Sequence, residues 1–275
     1  MKLCLAKQSG FCFGVKRAIK IAKEEAGKYN NVYIKGDLVH NEKVSKDIEN
    51  MGIKKVSSLK EVPASSTIII KAHGEGRSTY DELKNKKLKV IDATCPMVKD
   101  IHRRAAEMEK DGYQVIIVGD RNHEETKGIL GNIDKGLVIE SFSEVKKFKN
   151  LLAKKIGVVC QSTQNQKNIS SILYELSKYV EELKFLNTIC RPTRLRQKEI
   201  EALAQKRAAI LVVGSKKSAN TKRLFEVAKA KNKNTFWITS AKISKRNFSK
   251  FKSIGIIGGA STPVEIIAKL KEKLK

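Results

Sequence analysis

The chain has 275 residues, 41% of them hydrophobic, and 56 basic against 29 acidic residues give it a net charge of +27 and a pI near 9.9. That is enough apolar material for a full core, while no apolar run approaches the length of a membrane-spanning helix, so no membrane role is expected. The positive balance would suit nucleic acid, but arginine, which reads bases bidentately, is a minority of the basic residues and no strand interleaves aromatics for stacking; the expectation is a solvated lysine-rich surface, attractive to acidic partners, with no nucleic-acid role.

The first residues, "MKLCLAKQSGF", lack the long apolar stretch of a secretory leader, which points to the cytoplasm. Cysteines number five, an odd count without an export signal, so structural disulfides are not expected. Metal binding or catalysis is the better reading for any cysteine that recurs in register.

In chain order, "SGFCFGVKRAIKIA" sets Cys12 before a helix with Val15, Ala18, Ile19 and Ala22 on one face. The strands "VYIKG", a weak "GIKKV", "TIIIKAHG" and "KVIDATC" follow, with a helix after each of the first and third. Cys95 closes that series, Pro96 follows, and the pattern predicts a helix over 97–111. Then come "QVIIVGD", "GLVIE" and "KKIGVVCQ", a helix predicted over 165–182, Cys190, and a helix predicted over 194–207. "AAILVVGS", "NTFWIT" and "SIGIIGGA" complete the strands, and a last helix closes the chain. Alternation of this kind predicts parallel α/β layers. Cys4 and Cys160 read as buried strand residues and not as ligands.

Aligned on Cys12, Cys95 and Cys190, the elements repeat in the same order. The chain therefore reads as three copies of one α/β unit, residues 1–94, 95–189 and 190–275. Ligands of open parallel sheets bind beyond the carboxyl ends of the strands. The residues expected there are Cys12, His40 and His73 in unit one. Unit two contributes Cys95, His123, Glu125, Ser162 and Thr163, and unit three Cys190, Ser218, Asn220 and Ser261. Of the four histidines only His102 falls elsewhere, inside a helix, where it reads as a surface or packing residue.

Three units around a pseudo-threefold axis would bring three thiolates together. Three cysteine ligands without a fourth suit an iron–sulfur cluster with one open iron; zinc with three cysteines and a histidine competes, although close CxxC pairs are absent. A helix N-terminus favours the thiolate form at each position. The histidines, hydroxyls, the Asn220 amide and the backbone N–H groups of "GSKKSANT" and "GGASTP" are donors, which suit a phosphate or diphosphate. Glu125, two residues from His123, is a candidate proton donor to a leaving hydroxyl, with Glu124 the adjacent alternative.

Over its whole length the chain resembles the 4-hydroxy-3-methylbut-2-enyl diphosphate reductases, the last enzymes of the non-mevalonate isoprenoid pathway. The resemblance lies in "GFCFGVKRAI", "LVHN", "KAHG", "DATCPMV", the H-x-E of "NHEE", "QST", "TIC" with the following "RQ", "VVGSKKSANT" and "GGASTP". It implies a trefoil of three pseudo-repeated α/β domains around a central [4Fe–4S] cluster, with Cys12, Cys95 and Cys190 as ligands and the fourth iron open to the substrate hydroxyl. It implies that His40, His73, His123, Ser218, Asn220 and Ser261 bind substrate and that Glu125 delivers a proton. Ser162-Thr163 stands where the family has a Thr pair, which keeps a hydroxyl. Ala219 stands where a second Ser is frequent, leaving only its backbone N–H for the diphosphate. The implied reaction is two-electron reductive dehydroxylation to isopentenyl and dimethylallyl diphosphate. No flavin or nicotinamide motif is present, so an acidic donor protein, ferredoxin or flavodoxin, is expected, and the enzyme is expected to be a monomer. A phosphate-binding module without redox chemistry, or a zinc hydrolase, are the competing classes; either would be colourless.

Overall fold

The computed structural model describes residues 1–240 and 243–275. The chain opens with β1 (Lys2–Leu5) and α1 (Phe13–Ala26). It continues through β2 (Val32–Lys35), α2 (Glu42–Asn50), β3 (Lys54–Val56), β4 (Thr67–Ile70), α3 (Arg77–Asn85) and β5 (Lys89–Asp92). Next come α4 (Pro96–Lys110), β6 (Gln114–Val118), α5 (Glu124–Leu130), β7 (Gly136–Ile139), α6 (Phe142–Phe148), β8 (Lys155–Cys160), α7 (Gln166–Leu176) and β9 (Glu182–Phe185). The last elements are α8 (Arg191–Lys206), β10 (Ala209–Val213), α9 (Ala219–Lys229), β11 (Thr235–Ile238), β12 (Ser253–Gly258) and α10 (Val264–Leu274).

Among the described residues the strands form three four-stranded sheets, in the orders β3-β2-β4-β5, β7-β6-β8-β9 and β11-β10-β12-β1. Every pairing is parallel. The order is the same in all three: the second strand lies outside the first, and the third and fourth follow on the other side. In the last sheet the fourth position is filled by β1, from the opposite end of the sequence, with Lys2 opposite Ser253 and Leu5 opposite Ile256. Residues 2–5, grouped with the first unit by sequence order, thus hydrogen-bond in the sheet of the third. The chain groups into two compact units. One comprises Met1–Lys16, His40–Lys43 and Cys190–Lys275 and holds the sheet with β1; the other comprises Arg17–Val39 and Val44–Ile189 and holds the remaining two sheets.

The strands read as unbroken apolar runs because helices cover both faces. In the sheet around β10, Leu211, Val213, Ile254 and Ile256 pack on Ile267 and Leu270 of α10. The alternate residues Ile210, Val212 and Ile257 pack on Ile200 of α8 and Leu224 of α9. The sheet around β6 repeats this: Ile116, Val118, Ile156 and Val158 face Ile169 and Ile172 of α7, while Val115, Ile117 and Val159 face Ile101 and Met108 of α4.

Two helix boundaries differ from the pattern. The helix predicted to run to residue 182 ends at Leu176, and residues 182–185 form β9, which pairs with β8 from Lys155↔Glu182 to Val158↔Phe185. The backbone N–H groups of Glu181 and Glu182 both donate to Lys154 O, at 2.8 and 3.0 Å, so the chain is already engaged with the start of β8. The helix predicted from 194 begins at Arg191, because Pro192 is compatible with a first helical turn, where its missing N–H leaves nothing unmade. Cys160 is fully buried in the core beside Val158, as read from sequence; Cys4 lies in β1 as expected but is only partly buried, because β1 is the edge strand of its sheet. No helix of the described residues is long and apolar enough to cross a membrane.

Candidate active site

In the unit that contains β10, Cys12 immediately precedes α1, and its N–H donates to Ala260 O at 3.0 Å in the loop after β12. Cys190 is the N-cap of α8; its thiol makes no cap hydrogen bond and instead lies 3.1 Å from the Thr193 hydroxyl. Gly10 sits at φ +95°, and a Cβ there would meet Val264 at 2.5 Å, so only glycine lets the chain reach Cys12 by this path. Ser218 caps α9, accepting from Thr221 N at 3.3 Å. Ala219 is the first residue of that helix, where backbone N–H groups have no intrahelical acceptor. Asn220 is 4% exposed, yet neither its amide nitrogen nor its oxygen has a hydrogen-bond partner. A buried amide left unmatched is costly and calls for a water or a ligand to satisfy it. Ser261, also buried, donates its hydroxyl to His40 O at 3.1 Å and so ties the "GGASTP" loop to the "LVHN" segment.

In the other unit, Cys95 is the N-cap of α4 with Pro96 next to it, again without a side-chain cap bond, and its N–H donates to Ala72 O at 3.0 Å. His73 follows β4 and His123 caps α5, and the two rings meet edge to face with centroids 5.5 Å apart. His123 Nδ1 accepts the Glu125 N–H at 3.2 Å, so in the neutral ring the proton resides on Nε2.

The two adjacent glutamates of "NHEE" have opposite environments. Glu125 is 3% exposed; Ser162 donates its N–H to Oε1 at 2.5 Å and its hydroxyl to Oε2 at 2.9 Å. Burial pushes this carboxyl above the ordinary range, outweighing the lowering by Ser162 and by His73. Glu124 points to Lys71 and His73: Lys71 Nζ lies 2.9 Å from Oε1 and His73 Nδ1 3.3 Å from Oε2. Burial alone would raise Glu124, but His73 and Lys71 together hold it far below the usual carboxylate range. Thr163, predicted alongside Ser162, accepts from the Gln161 amide at 3.1 Å, so Ser162 is the one hydrogen-bonded to Glu125.

Three features here are not legible as site residues in the sequence. Lys71 is 7% exposed and pairs with both Glu124 and Glu75, the latter at 3.0 Å; its signals are a lysine directly after the buried run "TIII" and its place in the "KAHG" motif, neither of which gives it a role. Gln161 is fully buried and accepts from Asp120 N at 2.8 Å, fixing the strand end that precedes Ser162. Arg196, the arginine of "RQ", is 4% exposed and reaches back to Gly10 O at 2.8 Å. His102 packs against Gly74, as its helical position suggested, and burial draws it down to about 4.

Parallel α/β sheets whose strand ends carry thiols, imidazoles, a buried acid and an unsatisfied amide define a protein of the open parallel α/β class. The chain belongs to the LytB protein family, whose model matches residues 3–275. The 4-hydroxy-3-methylbut-2-enyl diphosphate reductase of Pelobacter propionicus is 40% identical, covering 97% of this chain and 95% of that one. The enzyme of the same name from Aquifex aeolicus is 37% identical over 99% of this chain and 96% of its own length. Two solved structures are also similar. One is (E)-4-hydroxy-3-methyl-but-2-enyl diphosphate reductase, described as the terminal enzyme of the non-mevalonate pathway, at 36% identity and a TM-score of 0.72 over 100% of this chain and 99% of that one. The other is the Plasmodium falciparum E-1-hydroxy-2-methyl-but-2-enyl-4-diphosphate reductase, at 28% identity and a TM-score of 0.93 over 98% of this chain and 87% of that one.

The depressed Glu124 carboxyl makes a pH-dependent contribution to stability. Because its folded pKa lies below the ordinary 4.5, the stabilisation is fully present above that value and is lost as pH falls below it. Denaturant titrations of wild type and Glu124→Gln should show a stability gap near neutrality that narrows as pH drops below about 4.5. A gap independent of pH would mean that the pairing with Lys71 and His73 is not what Glu124 contributes.

Proposed function

We propose that this chain is a 4-hydroxy-3-methylbut-2-enyl diphosphate reductase. It converts (E)-4-hydroxy-3-methylbut-2-enyl diphosphate to isopentenyl and dimethylallyl diphosphate. Two electrons and two protons enter, the bond from carbon to the hydroxyl oxygen breaks, and water leaves. The observation that carries the reading is Glu125, a buried carboxyl with a raised pKa, fixed by two bonds from Ser162 and beside a histidine pair. The full-length likeness to reductases of this name supports it.

Cys12, Cys95 and Cys190 are the residues that would hold a [4Fe–4S] cluster with one open iron. Their fit is supported by chemistry at each position: none is in a disulfide, and Cys95 and Cys190 stand at helix N-termini without spending the thiol on a cap. When bound, the cluster supplies single electrons and Lewis acidity. The substrate is assigned to His40, His73, His123, Ser162 and Thr163, and its diphosphate to Ser218, Asn220 and Ser261 with the backbone N–H of Ala219; the unmatched amide of Asn220 at the start of α9 supports this anchor. Glu125 holds the proton destined for the departing hydroxyl, and Ser162 keeps its carboxyl in place. The enzyme acts as a cytoplasmic monomer served by an acidic electron-transfer protein.

Iron and acid-labile sulfide in anaerobically purified protein test the cluster directly. Wild type should be brown, Cys12→Ser, Cys95→Ser and Cys190→Ser should lose cluster and turnover, and Cys4→Ser should keep both. Colourless wild type carrying zinc would overturn the reading in favour of a hydrolase.

Glu125→Gln keeps size and polarity but removes the transferable proton. Turnover should fall on the order of 10²-fold or more, the scale of lost general acid catalysis, while substrate binding to the oxidised enzyme persists. In wild type, turnover should decline as pH rises through the raised Glu125 pKa, and this limb should be missing in the variant. If Glu124→Gln proved crippling and Glu125→Gln mild, the wrong acid has been assigned.

Electron delivery tests the role of the charge. Long-range attraction is screened as the Debye length shrinks from about 10 Å at 0.1 M salt to about 3 Å at 1 M. Turnover with an acidic protein donor should fall steeply over that range, and turnover with a small uncharged reductant should change little. Parallel curves would remove the lysine-rich surface from electron delivery.

A further inference from the structure

Arg196 projects from the second turn of α8, and its guanidinium is forked between two backbone carbonyls. Nη2 donates to Gly10 O at 2.8 Å, two residues before Cys12, and Nη1 to Pro192 O at 3.3 Å, two residues after Cys190. The side chain is thus fastened to both segments that present these cysteines, within one compact unit. It is also 4% exposed, and its Nε has no hydrogen-bond partner. Among the described residues no carboxylate forms an ion pair with it. The acid that acts on it, Glu199, is engaged by the backbone N–H groups of Lys7 and Gln8 at 2.6 and 2.8 Å. Burial draws the guanidinium below its ordinary value, while the charges of Cys12 and Cys190 pull it back up. A buried cation held only by carbonyls requires anionic compensation, and both carbonyls belong to the segments of Cys12 and Cys190, which would be anionic as ligands of a cluster. Arginine cannot discharge by losing its proton, and its planar fork matches the two carbonyl acceptors as a lysine ammonium would not.

We infer that Arg196 is a fixed positive charge of the iron–sulfur site, locked between the Cys12 and Cys190 segments so that it favours electron uptake by a cluster held there. This rests on the reading in which those cysteines are cluster ligands. Each electron added makes a cluster more negative, so a nearby charge shielded from water stabilises the reduced state. Arg196 is a positioning and electrostatic residue; it needs no contact with substrate.

The test is the cluster's reduction potential, read by electron paramagnetic resonance during redox titration of the holoenzyme. Arg196→Gln keeps a donor amide but removes the charge, and should lower the one-electron uptake constant on the order of tenfold, about 59 mV more negative. Arg196→Lys offers a cation without the fork and should shift the potential clearly less than Arg196→Gln. As a control, Arg207→Gln removes a cation from the C-cap of the same helix, where it lies against Cys4, and should leave the potential unchanged. An unaltered potential in Arg196→Gln would overturn the inference, as would an equal shift in Arg196→Lys. If Arg196→Gln fails to hold a cluster, Arg196→Lys with a normal cluster and potential supports the charge; loss of cluster from both would reduce Arg196 to a structural tie and overturn its electrostatic role. Wild type without any iron–sulfur cluster would instead refute the functional reading beneath.

Discussion

In a parallel sheet every strand ends at the same edge, and the chain must leave from that edge each time. The helix that follows therefore begins there, with its unsatisfied N–H groups and the positive end of its dipole. All three sheets obey this constraint, and the reactive residues follow from it. Cys12 comes after β1, Cys95 after β5 and Cys190 after β9, in each case the fourth strand of its sheet. Each then leads into a helix. The thiols occupy the same slot because the topology has one such exit per sheet, and the cyclic strand order, with β1 completing the sheet of β10 and β12, supplies the third exit at the N-terminus.

The same edge shows how neighbouring residues with identical side chains acquire different chemistry. Glu124 and Glu125 are consecutive in the first turn of α5, so their side chains diverge by roughly 100° around the helix axis. One turns to Lys71 and His73 and is held as an anion; the other turns inward to Ser162, where burial favours the neutral acid. A carboxylate that is always charged can orient an imidazole but has no proton to give. A buried carboxyl with a raised pKa can give one. His123 contributes to both arrangements by capping the helix that carries the two acids.

How much of this is legible in sequence depends on where the signal resides. The central strands β4, β6, β8, β10 and β12 are covered on both faces, so burial writes them as apolar runs, and the strand-end motifs follow from locating them. β9 is invisible to that pattern: it is a half-buried edge strand with Glu182 and Lys184, and its place comes from pairing with β8, a contact between distant positions. The end of α7 is blurred for the same reason. Ser162 is readable as a hydroxyl at a strand end, but its choice over Thr163 as the partner of Glu125 depends on backbone direction after β8. Lys71 and Arg196 are harder still: they fall within the "KAHG" and "RQ" motifs, but a lysine or arginine in a chain this basic looks like surface, and burial and the identity of its partners are what give each a distinct place.

Positive charge stands in two kinds of place in this chain. Most of the lysines stand in water, where their fields act at long range, are weakened by salt, and influence how charged partners approach. Arg196 sits out of water, is fixed by two carbonyls, and acts over a few ångströms in a low dielectric that salt does not reach. A surplus of exposed lysine can change encounter without changing the chemistry of the site, and one buried guanidinium can do the reverse. The residue types suit the division: the strongly hydrated ammonium belongs at the surface, and the weakly hydrated, planar guanidinium tolerates burial when every neighbour is an acceptor or an anion. The net charge of the chain is therefore a property of its surface, and the buried guanidinium tied to the Cys12 and Cys190 segments adds a charge of a different kind, one that solvent does not screen.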